Sequence, residues 1–77
     1  MDKNNLTFGE RACGVSFNPG GIPVVNAIKK AYAEIAEQLN DIRIQDTDPE
    51  VKRMCSIAIT ELQTSQMWAV KAVTWNL

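Results

Sequence analysis

Residues 22–44 run IPVVNAIKKAYAEIAEQLNDIRI, and this stretch decides the fold. Val25, Ile28, Tyr32, Ile35, Leu39 and Ile42 recur at alternating spacings of three and four, which puts them on one face of a helix. Pro23 suits the first helical position, where its missing N–H costs nothing. Ala27, Ala31, Ala33 and Ala36 raise helix propensity and thin the neighbouring faces. The pattern predicts a first helix that starts near Ile22 or Pro23 and ends around Ile44.

Gln45-Asp46-Thr47-Asp48 forms the next break. Thr47 stands three before Glu50 and fits a capping box, with Asp48 as an alternative N-cap. Pro49 then opens a second helix that runs to about Thr74, roughly 39 Å at 1.5 Å per residue. Its stripe is Val51, Cys55, Ala58, Leu62, Ser65, Ala69 and Ala72, with small members that suit close approach. Residues 67–75, MWAVKAVTW, are apolar nearly all round, whereas a hairpin buries one stripe per helix. Trp68, Val70, Val73 and Trp75 therefore predict a subunit interface. The blander alternative is that the N-terminal segment folds back over them.

That segment, residues 1–21, holds all four glycines and Pro19. Asn18-Pro19-Gly20-Gly21 is a turn signal. Thr7-Phe8 and Val15-Ser16-Phe17 read as extended pieces too short for a sheet. The expected fold is all-α: an antiparallel two-helix hairpin over residues 22–77 with an irregular N-terminal arm over residues 1–21, in one domain. A chain of 77 residues buries only about 60% of its unfolded surface and needs added support. Two distant cysteines and no histidine make a disulfide framework or zinc site a poor source of it. Assembly into a symmetric homo-oligomer is the support that remains.

Met1 to Asn5 is polar with no apolar run behind it, and no segment approaches the roughly 18 apolar residues that span a bilayer. The expectation is a cytoplasmic protein with reduced thiols and no membrane partner. Net charge is −1, which excludes the global basic field of a protein that binds nucleic acid polymers. Residues 1–33 carry +2, residues 34–50 carry −5 and residues 51–77 carry +2, so each end suits a small anion.

Enzyme chemistry is not expected. Histidine is absent, and so is a glycine-rich phosphate loop of the G-x-x-x-x-G-K type. Asp46, Asp48 and Glu50 complement a helix dipole and lack the rest of a calcium loop. Cys13 near Arg11 has no partner base. No metal and no cofactor are implied.

A binding constellation is more promising: Arg11, then Phe17-Asn18-Pro19-Gly20-Gly21, then Lys29-Lys30. Glycines beside a helix N-terminus present backbone N–H groups to an anion. Phe17 offers a face for a base, worth roughly 1–3 kcal/mol in nucleic-acid sites. Asn18 donates and accepts hydrogen bonds, while Arg11 and the lysines pair with phosphates. The bland alternative makes Phe17 a staple against the helix and the lysines a solvated face. A second constellation, Lys71, Thr74, Trp75 and Asn76, reads better as structural.

Two stretches resemble a known family. One is Phe8-Gly9-Glu10-Arg11-Ala12 through Val15-Ser16-Phe17-Asn18-Pro19 into Val25-x-x-Ile28-Lys29. The other is Arg53-Met54, Ile57-Ala58-Ile59-Thr60 and Gln66-Met67-Trp68-Ala69-Val70-Lys71-Ala72-Val73-Thr74-Trp75. Together they resemble the helical-hairpin domain of phage anti-CBASS cyclic-oligonucleotide sponges, a hairpin shared with a Thoeris anti-defence sponge. The resemblance covers most of residues 8–75, and the Met-Trp-Ala run before Lys-Ala is its most specific part. It implies compact oligomers, typically hexamers, acting in the cytoplasm of the infected bacterial host. Such proteins bind cyclic di- and trinucleotides without cutting them and starve the immune effector. It implies pockets between protomers, with Phe17 as the stacking aromatic and Lys29 or Lys30 as the phosphate lysine. Asn18 and Pro19 follow the aromatic as the motif expects; Arg11 is added on electrostatic grounds. Phe17 replaces a tyrosine, so no phenolic hydrogen bond is made there, which puts base preference in doubt. The competing expectations are a sponge for cyclic ADP-ribose-type signals and a helical module that grips a protein through Trp68–Trp75.

Overall fold

The computed structural model describes residues 5–77. The first four residues of the arm, and with them most of the polar Met1–Asn5 stretch, lie outside the described residues. Three helices follow in order: α1 (Phe8–Ala12), α2 (Pro23–Gln45) and α3 (Pro49–Val73), and no strand occurs among the described residues.

Both long helices begin at the prolines that mark them. Ile22 precedes α2 in an extended conformation and contributes no side-chain cap. Asn18 braces this start without capping it: its Oδ1 accepts from Ile22 N at 3.2 Å, and its Nδ2 donates to Ile22 O and to Asn26 Oδ1, both at 2.9 Å. At α3 the cap is Asp48, whose carboxylate accepts from Glu50 N at 2.9 Å, so the box expected at Thr47 does not form. A carboxylate is as good an acceptor as a hydroxyl and adds a favourable charge at the helix start. Asp46 in turn accepts from Asp48 N, which closes the three-residue turn.

The turn folds α3 back along α2. Arg43 donates to Ser56 Oγ at 3.1 Å, and one end further on Tyr32 Oη lies 2.7 Å from Ser65 Oγ. The paired numbers run in opposite directions, as an antiparallel hairpin requires. The molecule is a slab of 44 × 26 × 13 Å, about one helix diameter thick.

The core is built from small residues. Cys13, Val15, Ala33, Ala36 and Leu62 form its centre, with Tyr32 and Leu39 packed on it. The expected stripe of α2 is only partly the buried one. Val25 is buried, whereas Ile35 and Ile42 are exposed and Ala33, Ala36 and Asn40 take the inward positions. Close helix approach selects the alanine face, where backbones meet, and turns the large isoleucines outward. On α3, likewise, Cys55 and Leu62 of the expected stripe are buried, joined by Ile59 and Gln66 in place of Ala58, Ser65 and Ala69.

The arm is irregular only in part. Residues 8–12 form α1, started by a capping box: Thr7 Oγ1 accepts from Glu10 N at 3.1 Å and Glu10 Oε1 accepts from Thr7 N at 2.9 Å. Phe8, expected to be extended, is therefore helical. Gly9 is the docking point. A Cβ there would lie 3.0 Å from Glu37 N and well inside contact distance of Ala33 O. Gly9 N also donates to the Glu37 carboxylate at 2.7 Å, and Gln63 Nε2 donates to Ala12 O at 2.9 Å. The arm thus lies across the middle of both long helices. It does not cover the tryptophans: Trp68 is 67% and Trp75 73% exposed.

Candidate functional site

After α1 the chain turns at Gly14, whose φ of 60° lies in the left-handed region. Phe17 N donates to Gly14 O at 2.9 Å, and Gly21 N donates to Asn18 O at 3.0 Å. Two successive turns, tied to α2 by Asn18, present residues 14–21 as a fixed loop. Gly21, with φ 59°, occupies a position that a β-carbon would strain.

Lys29 reaches into this loop from α2 and is 6% exposed. Its ammonium donates to Gly14 O at 3.0 Å and to Phe17 O, and lies 5.5 Å from the centroid of the Phe17 ring. A buried charge is tolerated only when hydrogen-bonded, and two carbonyls meet two of its three N–H groups. The Phe17 ring itself is 72% exposed. Phe17 is therefore not a staple, and Lys29 is not part of a solvated face.

Phe17 borders two clefts. One, of about 170 Å³, gathers Phe17, Asn18, Pro19, Gly20 and Lys29. Val70 of α3 and Thr74, its C-cap, complete the lining. Sequence reasoning placed Thr74 in a separate constellation and gave Val70 to an interface. The antiparallel register is the signal that joins them, because it returns the end of α3 to the start of α2. The other, of about 550 Å³, is lined by Arg11, Glu10, Gly14, Ser16 and Phe17.

Two candidates fall elsewhere. Lys30, one step around α2 from Lys29, lines a cleft with Glu10, Glu34 and Glu37. Gly21 is exposed and borders neither Phe17 cleft. Lys71 and Trp75 line a small apolar cleft with Trp68 and Ala72, where Lys71 lies 5.2 Å from the Trp68 ring.

Reactive groups near the loop are restrained. Burial pushes the Cys13 thiol above its ordinary value, and the Lys29 charge only partly opposes this. Glu50 is held below the usual carboxylate range by its hydrogen bond to Arg53, so it belongs to a local pair on the first turns of α3. Among the described residues no three histidine, cysteine or acidic side chains stand close enough to hold a metal ion, and no helix is long and apolar enough to cross a membrane.

The arrangement can therefore stack a planar group on Phe17 and offer cationic and backbone donors beside it. Comparison with known proteins returns one family. A model described as the Acb2/Tad1 hairpin domain matches residues 2–74, taking in the loop, Lys29 and both long helices. No curated protein and no solved structure matches the chain. The chain belongs to the Acb2/Tad1 hairpin-domain family, the anti-defence sponge family that its motifs resemble.

Proposed function

We propose that the chain is a phage anti-defence sponge that binds cyclic di- and trinucleotide immune second messengers and withholds them, unhydrolysed, from the CBASS effector. The observation that carries this reading is Phe17: its ring is 72% exposed while its backbone is fastened to the buried Lys29. An exposed aromatic held rigid loses little entropy on binding, so stacking a base on it retains most of its roughly 1–3 kcal/mol.

Each neighbour then has a part. Lys29 uses two N–H groups on carbonyls and keeps one for a phosphate oxygen. Pro19 and Gly20 form the wall of the cleft. The start of α2 has no side-chain cap on its own N–H groups, which favours an anion there. Arg11 brings a second cation to the larger cleft that Phe17 borders. Asn18 spends its amide on Ile22 and Asn26, so its part is to hold the loop. Lys30, among carboxylates, is not the phosphate lysine in this reading.

One protomer does not enclose such a ligand. Small-molecule sites usually span about 300–1,000 Å³, and the Phe17–Lys29 cleft holds about 170 Å³. A second subunit completes it in a symmetric homo-oligomer, a hexamer as in the resembling proteins. The exposed Ile35, Ile42, Met54, Ile57, Trp68 and Trp75 supply the apolar surface for that assembly. The site of action is the cytoplasm of the infected bacterium, and the reading involves no catalysis.

The matched family joins two named kinds of protein under one hairpin, which keeps a second ligand class in view: cyclic ADP-ribose-type signals, with one adenine for Phe17 and a pyrophosphate for the cations. Competition between the two classes on the same protein ranks them. The reading is tested by mixing the protein with a cyclic dinucleotide, removing the protein by filtration, heating it and analysing the released fraction. Depletion followed by recovery of intact ligand is expected. Cleaved product, or no depletion with either class, contradicts it.

A further inference from the structure

A further cleft, of about 620 Å³, opens where α1 crosses α2 and α3. Arg11, Arg43, Phe8, Ser56, Thr60 and Gln63 line it, and no acidic residue does. The only ion pair among the described residues is Arg53 with Glu50, so neither Arg11 nor Arg43 has a carboxylate partner there. Arg43 is half-buried and fixed. It donates to Ser56 Oγ at 3.1 Å and to Asn40 Oδ1 at 2.7 Å, and its guanidinium lies 5.3 Å from the centroid of the Phe8 ring. Two of its five N–H groups are used by these bonds, which leaves the rest of a rigid fork without an anion. Lys52, bonded to Arg43 O at 2.6 Å, adds positive charge behind it.

We propose that this cleft is a binding site for the phosphate of a small phosphorylated ligand. Two guanidinium groups with no carboxylate partner among the described residues, and the Ser56 hydroxyl, share one concavity and match the several acceptor oxygens and double charge of a phosphate; the Thr60 hydroxyl donates to Ser56 O at 3.1 Å and lines the wall. The volume is within the range of small-molecule sites, and the net charge of −1 disfavours a nucleic acid polymer. The site differs from the Phe17–Lys29 cleft, which neither arginine lines. Arg11 borders the other Phe17 cleft and this one.

The chain has three arginines, and Arg53, paired with Glu50, is an internal control. The test follows the arginine Nε–Hε NMR signals of the full chain during titration with inorganic phosphate, against acetate and chloride at matched ionic strength. The site predicts that Arg43 and Arg11 shift saturably with phosphate while Arg53 stays still. Arg11→Gln should weaken phosphate binding about tenfold, the usual order for one charge-assisted hydrogen bond. That variant disturbs no side-chain bond among the described residues, whereas Arg43→Lys also loses the bonds to Asn40 and Ser56. A parallel titration with adenosine 5′-monophosphate separates a free phosphate from a nucleotide, since only the latter perturbs the Phe8 ring signals. Arginines that all drift without saturation, an equal response to acetate, or a static Arg43 would overturn the proposal. Phe17 amide signals, read in the same spectra, report separately on the other cleft.

Discussion

Lys29 grips Phe17 at two points: its ammonium donates to the Phe17 carbonyl and lies 5.5 Å from the centroid of the same residue's ring. Through Gly14 O it also holds the other end of the turn. One buried charge thus organises the loop and faces the cleft. Lys29→Met keeps the apolar stem and removes the donor. The carbonyls of Gly14 and Phe17 then lose a charged partner, at a cost of about 1–3 kcal/mol. Thermal melting should fall accordingly, and amide exchange across residues 14–18 should speed up. Unchanged melting and exchange would show that Lys29 does not organise the loop.

Gly9 is where α1 meets α2 with no room for a β-carbon. Gly9→Ala should push α1 off Ala33 and cost about 1–3 kcal/mol by overpacking. Because Gly9 N also donates to Glu37, the helix shift would break that bond too. Denaturant unfolding measures the loss. A fully stable variant would mean that the arm docks less tightly than this contact implies.

Trp68 and Trp75 lie exposed at the end of α3, beyond the cover of the arm. If they serve subunit contact, the double substitution Trp68→Glu with Trp75→Glu should lower the mass in sedimentation while helical circular dichroism persists. An unchanged mass would move the contact to the isoleucine surface of Ile35, Ile42 and Ile57.

Cys13 is buried with its thiol raised by desolvation. A raised folded value means that the neutral thiol is favoured by folding. The associated stability is full below the ordinary value of 9.0 and is lost as pH rises through the folded value. Cys13→Ala should flatten the alkaline decline in stability relative to the parent chain. At neutral pH the Cys13 thiol should react with an aromatic disulfide on the order of a hundredfold more slowly than free cysteine. Rapid modification of the folded protein would contradict its burial.

The long helices were legible because their signals are local. Pro23 and Pro49 set the starts, and the three–four spacing set the extents. Which face packs was less legible: hydrophobicity favours Ile35 and Ile42, whereas backbone approach favours Ala33 and Ala36, and only the folded pair shows the second winning. The α1 helix was missed although Thr7-x-x-Glu10 is the same capping pattern sought at Thr47. Five residues carry no periodicity, and what holds them is the distant contact of Gly9 with Ala33. Within the candidate cleft, Phe17 through Gly20 and Lys29 were visible as neighbours in sequence. Val70 and Thr74 required the hairpin register, and separating Lys29 from Lys30 required knowing which way α2 faces the loop. Arg43 is the one base of the acidic middle of the chain, where the net charge of −5 hides a guanidinium that the fold leaves without a carboxylate partner among the described residues.

The most direct test of the proposed sponge is calorimetric titration of the purified protein with a panel of cyclic di- and trinucleotides, for the parent chain and for Phe17→Ala. The ring is exposed, so the variant should keep its stability to within about 0.5 kcal/mol. The account predicts saturable binding to at least one member of the panel, and a loss of roughly ten- to a hundredfold when the ring is removed. No heat with any member, or equal affinity for parent and variant, would contradict the claim that Phe17 forms the floor of a nucleotide site.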